Sequence, residues 1–168
     1  MTEKGPPVFL NYDQAALDAA YDQAAYAQNR DQLIRRRISD SELTRLRVGE
    51  PERVAYGPAE IERLDIYRTE HAAAPVFVFI HGGAWRSGRS KDFANPAEMF
   101  LAAGAHYVVP DFAWVQDVGG SLMVLADQVR RGEQRQPCRG SSVLSIGAGT
   151  CLVEHDRMLA SARRNDES

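Results

Sequence analysis

The chain has 168 residues, of which 44% are hydrophobic and 26% are charged, an ordinary composition for a single folded domain. Its net charge of −3 lacks the basic excess typical of nucleic-acid or anionic-membrane binding. No apolar run is long enough to span a bilayer, the amino terminus has no secretory-signal pattern, and the two cysteines, Cys138 and Cys151, form neither a disulfide framework nor a metal-ligand pattern. We therefore expect a cytoplasmic protein that binds neither nucleic acid nor a membrane.

The first 49 residues predict a helical arm. Residues 12–28 are rich in alanine and place Leu17, Tyr21 and Ala25 on one face at four-residue spacing. Asn11 is the expected N-cap of this helix. The pattern favours an amphipathic helix packed on a core.

A second helix of the arm is predicted over residues 31–46. Leu33, Ile34 and Ile38 lie on one side of this helix. The arginine run at residues 35–37 forms a charged face that we expect to be mostly solvated.

Three strands are expected after the arm. Residues 53–56 predict a short strand, and residues 62–69 alternate through Leu64 and Ile66 as a half-exposed strand does. Residues 76–80 are continuously apolar, which is typical of a strand buried on both faces of a parallel sheet.

A helix is predicted to follow the third strand. It should start at Pro96, since proline fits the first turn of a helix, and close at Gly104. Its spacing carries Met99, Phe100 and Ala103 inward.

A further strand and helix complete the alternating pattern. The strand covers residues 106–111, and the helix covers residues 121–131, with an apolar face formed by Leu122, Leu125, Ala126 and Val129. Alternating strands and helices predict parallel strands joined by crossovers. The predicted fold class is therefore α/β, a mostly parallel sheet with flanking helices.

The character of the chain changes after Arg131. The first two-thirds contain all two Trp, six Tyr and six Phe, and no aromatic residue follows position 115. A strand at residues 143–146 and a short helix at residues 152–162 are the elements expected there. The predicted organisation is a helical arm at 1–49, a core at 50–131 and an atypical, poorly ordered tail at 132–168.

The most informative segment is the end of the buried strand, where His81, Gly82 and Gly83 follow Ile80 directly. Loops at the carboxyl ends of parallel strands are where open α/β sheets hold their ligands. Glycines let the main chain approach a ligand closely and adopt positive φ, so such a loop can direct N–H groups at a developing oxyanion.

With its His81-Gly-Gly-Ala-Trp-Arg-Ser-Gly loop, the chain resembles the α/β-hydrolase superfamily, and within it the arylformamidase (kynurenine formamidase-like) and small-esterase branch. The resemblance covers roughly residues 8–131, which we interpret as the N-terminal half of the fold. It extends to the Arg-Ser-Gly-Arg-Ser-Lys-Asp continuation at residues 86–92, the Tyr-Asp-Gln triplets at residues 12–14 and 21–23, and segments 108–112 and 119–131.

The resemblance implies serine-type hydrolysis of a carboxylic ester or an aryl formamide of the N-formylkynurenine kind, without metal or organic cofactor. Gly82, Gly83 and Ala84 would supply the oxyanion N–H groups, and Trp85 would line the substrate pocket. His81 would support the loop by hydrogen bonding, because the triad histidine of this fold comes last in the chain.

The nucleophile that this mechanism requires has no counterpart in the sequence. The Gly-Ser-Ser segment that starts at Gly140 has Leu144 where the last glycine of Gly-x-Ser-x-Gly belongs, and Gly149 stands where a serine should follow the next strand. His155 is the one late histidine. We therefore expect a truncated or frame-shifted hydrolase, altered near Arg131, with little or no activity.

Two other functions remain open. Residues 83–90, from Gly83 to Ser90, differ by one residue from the phosphate-binding pattern Gly-x-x-x-x-Gly-Lys-Ser/Thr, with Arg89 in place of the lysine and Trp85 adding bulk. Alternatively, the chain is a non-catalytic interaction fragment, whose N-terminal helix could form a homodimer surface.

Overall fold

The computed structural model describes residues 5–71 and 73–135, together with the backbone of the strands at 143–147 and 153–154. The chain divides into two compact units, residues 1–36 and residues 37–168. Within the described residues, no helix combines the length and the apolar character that crossing a membrane requires.

The first unit contains helices α1, Gln14–Tyr21, and α2, Gln23–Tyr26. The single helix predicted over 12–28 is wrong because Asp22 has extended dihedrals and ends α1. The predicted cap is also wrong: Asp13, and not Asn11, caps α1, accepting a hydrogen bond from the Ala16 N–H at 2.8 Å. None of the α1 residues is buried, and Tyr21 is 78% exposed.

Helix α3, Arg30–Val48, confirms the second predicted helix. Its buried residues are the small polar Ser41 and Thr44. Arg37 departs from the solvated face predicted for the arginine run. Its guanidinium lies 4.0 Å from the centre of the Phe93 ring, and its Nε donates to the Asp92 carbonyl at 3.2 Å.

The described strands form one mixed sheet in the order β1-β2-β4-β3-β5-β6. Strand β3 is parallel to both β4 and β5, whereas β1 with β2, β2 with β4, and β5 with β6 pair antiparallel. The strands are β1, Glu52–Ala55; β2, Arg63–Tyr67; β3, Val76–Ile80; β4, His106–Pro110; β5, Val143–Gly147; and β6, Val153–Glu154. This sheet with its flanking helices confirms the α/β fold class.

Strand β2 is buried on both faces, so the half-exposed strand predicted there is wrong. Leu64 and Ile66 pack in a core cluster with Val78, Val108 and other apolar side chains on one face of the sheet. Asp65 points to the other face and is also buried. An ion pair with Arg53 compensates the burial of its carboxylate. Because Asp65 is charged, the sequence pattern makes β2 look half exposed although it is buried.

Two helices pack beside the sheet, α4, Ala97–Ala102, and α5, Leu122–Arg135. In α4 the inward residues are Ala97, Phe100 and Leu101, so Met99 and Ala103, which are exposed, were wrongly placed inside.

In α5 the buried residues are Leu125, Gln128 and Gly132, whereas Leu122 and Ala126 of the predicted face are exposed. Two 3₁₀ turns, Ser90–Phe93 and Val115–Val118, complete the connections.

In the tail, β5 confirms the strand predicted at 143–146. Residues Val153–Glu154 form a strand where a helix was predicted, so that prediction is wrong at its start. The remainder of that predicted helix lies outside the described residues, as do both cysteines.

Candidate active-site loop

The candidate loop emerges at the carboxyl-terminal edge of the parallel strands. Strand β3 lies between β4 and β5, with Val78 in register with Val108 and Ile80 in register with Gly147. Residue His81 therefore begins the loop beside the end of β5. This is the edge at which α/β sheets bind ligands.

The loop contains a left-handed turn. Gly83, Ala84 and Trp85 have successive φ angles of 131°, 53° and 61°. The Gly83 carbonyl accepts hydrogen bonds from the N–H groups of Arg86 at 2.9 Å and Ser87 at 3.2 Å, and from the Ser87 hydroxyl at 3.3 Å. Non-glycine residues in this region cost about 1–2 kcal/mol each, so the loop holds backbone strain at Ala84 and Trp85.

Gly83 is required for this turn. A Cβ atom at Gly83 would lie 1.9 Å from the Ser87 carbonyl oxygen, which is backbone and cannot move aside without opening the turn. Its φ of 131° is also one that side chains rarely adopt. The sequence-based assignment of conformational freedom to this glycine agrees with the geometry.

The turn leaves main-chain donors that have no partner in the part of the chain that the structure describes. Among the described residues, the N–H groups of Gly82, Gly83, Ala84 and Trp85 donate no hydrogen bond, because the closing bonds of the turn come from Arg86 and Ser87. The Trp85 N–H was missed by sequence reasoning, which used this residue only as a pocket wall. No residue pattern signals that a tryptophan will adopt positive φ.

His81 is buried inside the loop, with an exposed fraction of 4%. Its ring is stacked between Phe93 at 4.9 Å and Phe112 at 4.4 Å between ring centres. Its Nδ1 lies 2.9 Å from the Gly82 carbonyl oxygen, which requires the proton on Nδ1. Burial lowers the pKa of His81 below its usual value, so the ring is neutral at pH 7.

One tryptophan of the chain, Trp85, belongs to this loop, and the other, Trp114, contacts it. Trp85 is 40% exposed, and its ring centre lies 5.3 Å from that of Phe112. The Trp85 carbonyl accepts from the Val115 N–H at 2.8 Å, and Trp114 donates its indole N–H to the Gly88 carbonyl at 3.0 Å. The segment that follows β4 therefore fastens the loop at two points.

The residues considered for the nucleophile and the base lie outside the part of the chain that the structure describes. Gly149 and His155 lie outside the described residues, as does the Gly-Ser-Ser segment that starts at Gly140. The backbone shows only that β5 ends at Gly147, in register with Ile80.

The phosphate-binding alternative conflicts with the geometry of residues 83–90. The Ser90 hydroxyl, which would bind a metal ion, is fully buried and donates to Asp65. The Arg89 guanidinium lies 4.0 Å from the centre of the Trp114 ring and donates to the Phe112 carbonyl at 3.2 Å. No α-helix begins at Gly88, since a 3₁₀ turn follows and α4 starts only at Ala97. Arg89 and Ser90, which would contact phosphate and metal ion in that pattern, both bind other residues of the fold instead.

A cavity of about 270 Å³ lies at the opposite end of the sheet, where β2 ends and β4 begins. Its charged lining residues pair with neighbouring side chains, as Arg68 does with Glu52 at 2.7 Å. Among the described residues, no group of three His, Cys, Asp or Glu side chains could hold a metal ion. The loop after β3 therefore remains the candidate site.

Solved structures to which the chain is similar include esterases and a candidate thioesterase. The candidate thioesterase, from Silicibacter sp. tm1040, superposes with a TM-score of 0.69 and 20% identity over 78% of this chain and 50% of that protein. Esterase B from Lactobacillus rhamnosis, inhibited by a C4-C4 SN3 tributyrin phosphonate, has a TM-score of 0.50 and 21% identity over 80% of this chain and 46% of the enzyme.

The chain matches no protein-family model. It spans about half the length of the solved structures to which it is similar. At 20% identity, this similarity shows the fold: the chain shares the α/β-hydrolase fold of the matched part of these structures.

Proposed function

We propose that the loop after β3 is the oxyanion-binding part of a serine-type hydrolase site, which acts on the carbonyl of a carboxylic ester or an aryl formamide of the N-formylkynurenine kind. The N–H groups of Gly82, Gly83 and Ala84 are the donors. The observation that carries the proposal is that these three N–H groups have no partner among the described residues. They lie in a turn that requires glycine at position 83.

The chemistry of acyl transfer makes such donors valuable. Attack on a carbonyl carbon places negative charge on the carbonyl oxygen, and a fixed backbone N–H stabilises that charge without reorganisation. One donor of this kind lowers the barrier by about 3 kcal/mol. Trp85 would line the acyl or aryl pocket, and the neutral His81 would hold the loop through its Nδ1–H bond to Gly82.

The sequence contains the oxyanion donors but no nucleophile elbow. We therefore expect this chain to bind an anion at the loop without turning over an ester. A chain without a serine positioned at the end of β5 should bind a carbonyl oxygen or a carboxylate and leave the ester intact. We expect no turnover of p-nitrophenyl butyrate or of an aryl formamide, and no labelling by a fluorophosphonate.

Binding can be tested with butyrate as the anionic probe. In ¹H–¹⁵N spectra of the full chain, butyrate should shift the amide resonances of Gly82, Gly83 and Ala84. Gly83→Ala should abolish these shifts because its Cβ would clash with the Ser87 carbonyl. Gly104→Ala is the matched control, since Gly104 has a φ of 77° with nothing within 4 Å of its Cβ position.

Two outcomes would contradict the proposal. Butyrate shifts that survive Gly83→Ala would place the binding elsewhere. Ordinary ester turnover that survives Gly83→Ala would show that the loop is not the oxyanion site of the reaction.

A second candidate function, self-association through the N-terminal arm, is favoured by the exposure of its apolar residues. Phe9, Tyr21 and Tyr26 are all more than half exposed. Light scattering of the full chain should give a dimer mass, and serine at these three positions should give a monomer. A monomeric wild-type chain would eliminate this function.

A further inference from the structure

The loop ends in a buried cluster of charged and polar groups, which we call the carboxylate brace. It consists of Arg53 in β1, Asp65 in β2, Ser90 at the start of the first 3₁₀ turn, and Asp111 directly after β4. Ser90, Asp65 and Asp111 are all buried. The brace therefore joins three strands to the residue at which the loop ends.

Ser90 is bonded to both carboxylates at once. Its backbone N–H donates to Asp111 Oδ1 at 2.7 Å, and its hydroxyl donates to Asp65 Oδ2. Arg53 bridges the same two carboxylates, through Nη1 to Asp65 and through Nη2 to Asp111. Since each carboxylate is held by Ser90 and by Arg53, a shift of Ser90 would break bonds to two different strands.

The cluster carries more negative than positive charge. Two buried carboxylates face one guanidinium, whose side chain is partly exposed. Burial raises the pKa of Asp65 above its usual value, and the Ser90 hydroxyl and Arg53 oppose that rise. The charge of Asp111 adds to this rise, and burial, followed by the charge of Asp65, raises the pKa of Tyr67 on the same strand. The brace is thus sensitive to acid through Asp65.

The carboxylate brace is adjacent in sequence both to the ring that packs on His81 and to the carboxyl-terminal end of the loop. Asp111 is followed by Phe112, whose ring stacks on His81 at 4.4 Å and lies 5.3 Å from the Trp85 ring. On the other side, Ser90 follows Gly88 by two residues, and the Gly88 carbonyl is held by Trp114. A displacement at Ser90 or Asp111 would reach the turn from either end.

We propose that Ser90 is a positioning residue, whose two hydrogen bonds to Asp65 and Asp111 fix the location of the turn at residues 82–85 and of its N–H donors. The proposal rests on the proposed function of that turn as an anion-binding loop. Ser90 itself does not touch the ligand, because its side chain is buried against Asp65.

The experiment uses the indole N–H resonances of Trp85 and Trp114, the two tryptophans of the 168-residue chain, as reporters of the loop. In the folded full chain, Ser90→Ala should shift both resonances and weaken butyrate binding about tenfold, because a binding loop loses affinity when its support loosens. Ser90→Thr, which keeps the hydroxyl, should restore both. In the wild type, we expect both resonances to shift on acidification as Asp65 is protonated. Asp65→Asn should remove that shift.

Ser41→Ala is the matched control for the loss of a buried hydroxyl. The Ser41 hydroxyl is fully buried and bonds Asn95, accepting from its N–H at 3.1 Å. This variant should lower the melting temperature without moving either indole resonance.

Unchanged indole resonances in Ser90→Ala, with a lowered melting temperature like that of Ser41→Ala, would reduce Ser90 to a structural residue and overturn the proposal. If Ser90→Ala does not fold, the Asp65→Asn titration decides, since an unaltered acid response would also overturn it. The indole readout needs no ligand. Absent butyrate binding with the expected indole shifts would therefore contradict the proposed function alone.

Discussion

The surroundings of the loop after β3 and the N-terminal arm both contain aromatic side chains, but only the loop's neighbours Phe93 and Phe112 are buried. Around the loop, His81 is stacked between Phe93 and Phe112, and hydrogen bonds at Gly88 and Ser90 hold the carboxyl-terminal end of the loop. In the arm, Phe9, Tyr21 and Tyr26 face solvent. The comparison teaches that aromatic content alone does not distinguish the two regions, whereas a main chain held in a strained turn by buried neighbours does.

The largest contrast should come from the two phenylalanines, Phe112 and Phe9. Phe112→Ala removes a buried ring that packs on His81 and Trp85, and should lower the free energy of unfolding by about 3–5 kcal/mol. Phe9→Ala, at an exposed position, should change it by no more than about 0.5 kcal/mol. Urea denaturation of both variants measures the difference, and equal losses would contradict the comparison.

The next effect concerns two arginine ion pairs. Arg53→Met leaves the buried carboxylates of Asp65 and Asp111 without their shared cation, and should cost about 2–3 kcal/mol at pH 7, allowing for the partial exposure of Arg53. Arg47→Met breaks an exposed pair with Glu98 and should cost less than about 1 kcal/mol. Similar costs for the two variants would show that the brace is no more than a surface ion pair.

A smaller effect is expected from a single hydroxyl. The buried Tyr56 donates its hydroxyl hydrogen to the Asp111 carbonyl, so Tyr56→Phe should cost about 1–2 kcal/mol. Tyr21→Phe removes an exposed hydroxyl and should be neutral. The comparison would fail if the exposed position proved the more sensitive one in thermal unfolding.

The smallest effect is a pH dependence. Burial raises the pKa of Asp65 in the folded state, so the contribution of this group to stability is fully present below its unfolded pKa and is lost as pH rises through the folded value. Asp65→Asn should therefore remove a component of stability that grows on acidification. Unfolding free energies measured between neutral pH and pH 4 test this, and parallel curves for the two proteins would contradict it.

Much of the sheet could be predicted, because hydrophobic continuity and turn residues report burial directly. The apolar run at β3 and the glycines that follow it correctly indicated a buried strand entering a loop with unusual dihedrals. The antiparallel strand β2 was mistaken for a half-exposed one, because Asp65 looks like a solvent-facing residue unless Arg53 is known to lie beside it.

The position and unusual dihedrals of the candidate loop were predicted from the sequence, but the contacts that support the loop were not. A histidine and two glycines after a strand identified the loop, but the positive φ of Trp85 has no sequence signal. The sequence placed Ser90 in a phosphate-binding pattern and in the family resemblance but did not predict its supporting contacts, because its partners Asp65 and Asp111 are 25 and 21 residues away along the chain. Contacts of that separation depend on the strand order, which local patterns do not encode.

The central claim is that the turn at residues 82–85 holds N–H groups available for an oxyanion, and amide hydrogen exchange tests it most directly. In the free protein, the amides of Ala84 and Trp85 should exchange rapidly, while those of Arg86 and Ser87, which donate to Gly83, should be protected. Butyrate should then slow the exchange of Ala84 without changing that of Ser87. Equal protection of all four amides, unaffected by butyrate, would contradict the account.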